Sequence, residues 1–181
     1  MKFRELTADD IEVRVQSVKQ NGLVLLLYKN ARVDMNILDE EVGAANWQRE
    51  HYECKGNLFC RVGIRTCIKD NEEIAEWVWK SDCGTESNTE AQKGEASDSF
   101  KRACFNWGIG RELYTSPFIW IPAENCNIKD TGKKDKYGKA VFACYDKFAV
   151  EKIRIENKQI TGLAIINETT KERCYVWKKE Q

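Results

Sequence analysis

The chain has 181 residues, enough for one domain and two at most. Its 29 Lys+Arg balance 29 Asp+Glu, which excludes a polycationic coat but leaves room for a basic groove opposite an acidic face. With 42% hydrophobic residues and six Trp, it carries too much packing material for a disordered chain.

The elements follow in chain order. Thr7-Ala8-Asp9-Asp10 reads as a helix N-cap with acids behind it, but Ile11 to Val15 alternates like a strand, so any helix there is short. Asn21-Gly22 is a turn, and Leu23 to Tyr28 is a continuous apolar run, hence a buried strand. Ala31 to Val42 spaces Val33, Ile37, Leu38 and Val42 as a helix that Gly43 ends. Three strands are predicted at Trp47–Tyr52, Leu58–Lys69 and Ile74–Ser81, with tight turns at Lys55-Gly56-Asn57 and Asp70-Asn71. Short turns make the strands antiparallel neighbours, a meander.

A helix follows from about Asn88 to Trp107, with Ala96, Phe100, Ala103 and Trp107 on one face and Gly108 and Gly110 as its stop. Phe118 to Ile121 is a strand between Pro117 and Pro122. Asn127 to Lys139, with five Lys and two Gly, is expected to be a mobile loop. Ile160–Ile166 and Arg173–Trp177 close the chain as a hairpin joined by residues 167–171. The expected class is α+β: an antiparallel meander packed on a long helix, with a C-terminal β-hairpin, in a single domain spanning 1–181.

Catalytic sets are scarce. Neither a phosphate-binding glycine loop nor a CxxC pair is present, and the only histidine is His51. A strand-borne histidine without a nucleophile beside it is expected to be surface or half-buried rather than catalytic. No run approaches the ~20 apolar residues that cross a bilayer, and the start lacks the apolar core of a signal peptide. A cytoplasmic protein is therefore expected, without membrane contact. Its eight Cys then read as reduced, small buried hydrophobes, and no metal or other cofactor is expected. Glu72, Glu73 and Glu76 could serve a two-metal nuclease, but beside Asp70-Asn71 they read better as a solvated turn.

Two features carry positive charge in a pattern. In Leu58–Lys69 the even positions are apolar, and the odd ones include Arg61, Arg65 and Lys69, which predicts a basic stripe on one face of the strand. On the later helix, Lys101 and Arg102 follow Phe100 and emerge at the flank of the buried face.

That helix carries Glu95, Ala96, Asp98, Lys101, Arg102, Ala103, Trp107 and Gly108, and in this it resembles the signature helix of the Rad-fifty-two family of single-strand annealing proteins. Ile11-Glu12-Val13-Arg14, Leu26-Leu27-Tyr28, Asn46-Trp47 and Gly56 to Gly63 agree with the family in order, over about residues 7–115; residues 116–181 form an unmatched extension. The resemblance implies a β-β-β-α core, a closed homo-oligomeric ring and single-stranded DNA laid in a groove around it. It carries inner-groove roles to Arg14, Lys101 and Arg102, and a groove aromatic to Tyr28. Phe105 stands where better-known members have a further Arg, and Asp82 where some carry an outer-site Lys.

The expectation is a non-enzymatic protein that anneals complementary single strands in recombination and double-strand-break repair, of the phage or bacterial kind. A single-strand-binding protein or an exonuclease of the same system would be a partner. Annealing needs no covalent chemistry, and phosphates bind Lys and Arg without regard to sequence. Three alternatives stand beside it: end or strand protection without annealing, a metal-dependent nuclease, and a structural oligomer whose basic stripe is only solvated surface.

Overall fold

The computed structural model describes residues 1–67, 75–85 and 91–180. In chain order the elements begin with strands β1 (Glu12–Lys19) and β2 (Gly22–Tyr28), helix α1 (Ala31–Val42), and strands β3 (Trp47–Cys54), β4 (Asn57–Cys67) and β5 (Ala75–Cys83). They continue with helix α2 (Ala91–Trp107), β6 (Ile119–Pro122), β7 (Ile128–Lys134), β8 (Ala140–Cys144), β9 (Phe148–Glu156), β10 (Gln159–Asn167) and β11 (Glu172–Lys178). The class is α+β, with antiparallel pairing throughout the described sheets and two α-helices.

The chain divides into two compact units, each assembled from separated stretches: residues 1–5 with 30–111, and residues 6–29 with 112–181. In the first unit, β3, β4 and β5 form a sheet in that order. Its inner face presents Cys60, Val62 and Ile64, all fully buried. Helix α2 covers that face with Phe100, Ala103 and Cys104, also fully buried, and Phe100 stacks on Trp47 with ring centroids 6.1 Å apart. Burying a Phe or Ile side chain contributes on the order of 2 kcal/mol, so this layer fixes the helix on the sheet. The closest approach is at Gly84, where any Cβ would lie 2.2 Å from Glu95 O, so only glycine lets α2 sit this near the strand end.

Both helices of this unit have legible ends. Asn30 Oδ1 accepts from the N–H groups of Arg32 and Val33 at 2.9 and 3.3 Å and caps α1, which Gly43 terminates. Gly108, at φ 89°, ends α2: its N–H donates to Phe105 O at 2.9 Å and the next N–H, of Ile109, to Cys104 O at 3.1 Å. Arg111 donates to Phe105 O at 2.7 Å, placing a cation at the negative end of the helix dipole.

The second unit is a six-stranded sheet in the order β11-β10-β9-β1-β2-β6, with a separate β7–β8 ribbon. The sheet curls enough for Tyr175, on edge strand β11, to donate to Phe118 O just before the other edge strand, β6 (3.1 Å). Leu23, Leu25, Ile119, Ile121, Ile160 and Ile165 fill its core. Glu112 is fully buried there and accepts from the N–H of Leu6 at 2.7 Å, with Lys158 Nζ 4.0 Å from its other oxygen.

Three expectations change. The segment 127–139 is not a mobile loop but most of the β7–β8 hairpin, turned at Asp135–Gly138, where Asp135 Oδ1 accepts from the N–H groups of Tyr137 and Lys139 at 2.8 and 2.9 Å. β7 is largely exposed, so no apolar alternation marked it, whereas β8, Ala140 to Cys144, is apolar and mostly half-buried. The C-terminal hairpin exists as β10–β11, but it is one margin of the six-stranded sheet and pairs with β9, a strand not among the expected elements. Of the cysteines, Cys60, Cys104, Cys126 and Cys174 are buried as expected, whereas Cys54 is exposed. Burial pushes the Cys60 and Cys174 thiols up to about 11 and Cys126 to about 12.

Candidate nucleic-acid interface

Helix α2 is held to its sheet by its own acids. Glu95 accepts from the N–H of Leu58 at 3.0 Å, and Asp98 accepts from Thr85 N and Oγ1 at 3.1 and 3.2 Å. Trp107 donates its indole N–H to Val62 O at 3.0 Å. The motif's acids and tryptophan are therefore anchors, and Lys101 and Arg102 are the members left at the rim.

These two cations leave the helix on different sides. Lys101 keeps its ammonium 4.0 Å from Asp98, one turn back. Arg102 reaches across to β5, where Nε and Nη2 both lie 3.3 Å from Asp82 Oδ1. With side chains 21% and 40% exposed, these are rim pairs, of the kind that contribute about 0–1 kcal/mol.

A cavity of about 360 Å³ opens beside the start of α1, lined by Arg32, Arg49, His51 and Ser97 among others. Arg49 lies with its guanidinium carbon 4.7 Å from the Phe100 ring centroid, and His51 Nε2 is 3.1 Å from Ala96 O. Ser97 and Lys101 are four residues apart on α2, so the cavity and Lys101 share one helix face. Arg32 and Arg49 were not among the residues that sequence reasoning singled out. The available signal was strand parity: Trp47, Arg49 and His51 pair with Ile64, Val62 and Cys60, so they occupy the inner face of β3.

The β4 stripe lies on the opposite face. Arg61 and Arg65 alternate with the buried Cys60, Val62 and Ile64, so they face away from α2 and share no surface with Lys101. Arg61 is held by Glu50 through bonds of 2.6 and 3.0 Å and stands 4.6 Å over Trp79. Trp77, 38% exposed, and Trp79 continue this face, as do Tyr52 and Phe59, whose rings stack at 5.6 Å. Arg65 is exposed. Lys69 lies outside the described residues, as do Glu72 and Glu73; Glu76 is on β5 and exposed, and its carbonyl accepts from Thr66 Oγ1.

In the second unit, Arg14 on β1 pairs with Glu12 at 2.6 Å and stacks 5.0 Å over Tyr28 of β2. The two residues singled out there are brought together, with Arg14 59% exposed. Among the described residues, no group of three or more His, Cys, Asp or Glu could hold a metal ion. No described helix is long and apolar enough to cross a membrane.

The family description "Rad52/22 family double-strand break repair protein" matches residues 3–131, well over half of the chain. This chain belongs to the Rad52/22 family. The match takes in the whole of α2 with its Lys-Arg pair, and membership places the protein in DNA recombination and repair. No curated protein matches the chain. The residues beyond 131, including β9, β10 and β11, lie outside the match.

Proposed function

We propose that this Rad52/22 family protein binds single-stranded DNA without sequence preference and anneals complementary strands, with no covalent step. The observation that carries the reading is the rim of α2. Phe100, Ala103 and Cys104 are buried to the last atom, so the backbone under Lys101 and Arg102 is fixed while both side chains reach solvent and are held by exchangeable rim pairs. Cations launched from a pinned helix lose less freedom on binding phosphate than lysines on a mobile loop.

Arg32, Arg49 and the cavity beside them extend the cationic track along the same unit. Arg14, stacked on Tyr28, supplies the ring-plus-guanidinium pairing suited to a base and its phosphate. Arg61, Arg65 and Lys69 make a second, lesser set, since Glu50 already neutralises Arg61. The meander β3-β4-β5 followed by α2 supports the reading of this unit as the family's β-β-β-α core.

A homo-oligomeric ring is part of the proposal. β3 is an edge strand exposed almost along its whole length, and such an edge is a template for a neighbouring chain. The test joins fluorescence anisotropy on labelled oligo-dT, annealing of two complementary oligonucleotides, and light scattering. Tight binding at low salt that falls steeply with added salt, faster annealing, and a defined multimer support the proposal. A strict monomer, or affinity unaffected by salt, overturns it.

A further inference from the structure

Outside the family match, the outer face of β9, β10 and β11 carries a groove of about 380 Å³. Its floor is Gly162 and Ala164 on the middle strand, and its rims are Lys152 and Arg154 on β9 and Val176 and Lys178 on β11. Cross-strand pairing sets Lys152, Ala164 and Val176 in one row and Arg154, Gly162 and Lys178 in the next.

Two register breaks create this face. The extra residue between Val150 and Lys152 flips the parity of β9. Phe148 and Val150 point to the core ahead of it, and Ile153 and Ile155 do so after it, which leaves Lys152 and Arg154 outside together. Along the strand they stand about 6.6 Å apart, at ~3.3 Å per residue, of the order of one step of an extended nucleic-acid backbone. Across the glycine, Arg154 and Lys178 are two strand spacings apart, about 10 Å.

No acidic side chain lines the groove, and among the described residues none of its three cations takes part in an ion pair. Elsewhere on this sheet, Arg14 is matched by Glu12, and Arg173 by Glu151 with two short bonds. An apolar floor of small residues between unpaired cations suits a strand that is anionic along its backbone and flat in its bases.

We propose that this groove is a second contact surface for single-stranded DNA, apart from the α2 rim. The inference rests on the single-strand reading given above. Gly162 supplies the test, because a Cβ there would meet only Arg154 Cβ at 3.5 Å and Trp177 O at 3.9 Å, ordinary contacts that leave room for a side chain.

Oligo-dT binding to the full chain is measured by anisotropy for wild type, Gly162→Glu, Gly162→Lys and the α2 variants Lys101→Ala and Arg102→Ala, with thermal melts for each. An added carboxylate beside phosphates is expected to weaken binding about fivefold, and an added ammonium to strengthen it. A wild type that binds, is weakened by the α2 changes and is untouched by Gly162→Glu overturns the groove alone. A wild type that does not bind at low salt overturns the single-strand reading and the groove with it. If Gly162→Glu does not fold, the exposed pair Lys152→Ala and Lys178→Ala serves instead: each should lower the slope of log affinity against log salt by about 0.7, and an unchanged slope overturns the proposal.

Discussion

Asp82 Oδ1 accepts from both Nε and Nη2 of Arg102 at 3.3 Å, across twenty residues of sequence, and also from the N–H of Cys83 at 2.8 Å. One carboxylate thus covers a cation of the proposed interface. Replacing it by Asn keeps the bond to Cys83 and removes the competing charge. Asp82→Asn should bind oligo-dT several-fold more tightly, with a stability change within about 1 kcal/mol. Anisotropy and a urea melt check both halves.

Phe100 lies beneath the proposed interface, stacked on Trp47 and with the Arg49 guanidinium over its ring. Phe100→Ala should cost about 3–5 kcal/mol in chemical denaturation, the range for a fully buried aromatic. Glu95→Ala, which leaves the N–H of Leu58 without its partner, should cost about 1–3 kcal/mol.

Much of this framework was legible. Helix α1 runs over the residues its apolar spacing predicted, because Gly43 marks its end. β4 shows the expected parity because one face is fully buried. What was hidden has a physical cause in each case. β9 changes parity at its bulge, so no single alternation runs through Phe148 to Glu156. β7 lies largely in solvent, where its polar residues obscure the period, although it pairs with the apolar β8. The Lys101–Asp98 pair could be read from helical spacing, but Arg102–Asp82 and Arg61–Glu50 depend on strand register, which composition does not encode.

Asp146 gives a pH signature. Burial alone would raise its carboxyl, but hydrogen bonds from Asn127 and Asn167, at 2.8 to 2.9 Å, outweigh it and hold the group below the usual carboxylate range. A lowered folded value means the contribution is complete above the ordinary carboxylate range and is lost as the pH falls through that lowered value. Asp146→Ala should therefore destabilise the protein more at pH 7 than at strongly acid pH, which paired thermal melts would show.

The thiols give the opposite limb. Cys60, Cys126 and Cys174 are raised by burial from 9.0 to about 11, 12 and 11. Their stabilising contribution is complete below the ordinary thiol value and is lost as the pH rises through the folded values. At neutral pH these thiols stay protonated and shielded, so a maleimide should modify exposed Cys54 before any of them. Peptide mapping after brief labelling reads the order.

The central claim is that the α2 rim of this Rad52/22 family protein carries single-strand annealing. The most direct measurement is the rate at which two complementary oligonucleotides, one bearing a donor dye and one an acceptor, are joined at low salt by wild type and by the double variant Lys101→Ala, Arg102→Ala. A double variant that melts like wild type should anneal at least tenfold more slowly, with its binding slope against log salt reduced by about 0.7 for each phosphate it no longer neutralises. Equal annealing rates in a folded double variant would contradict the account.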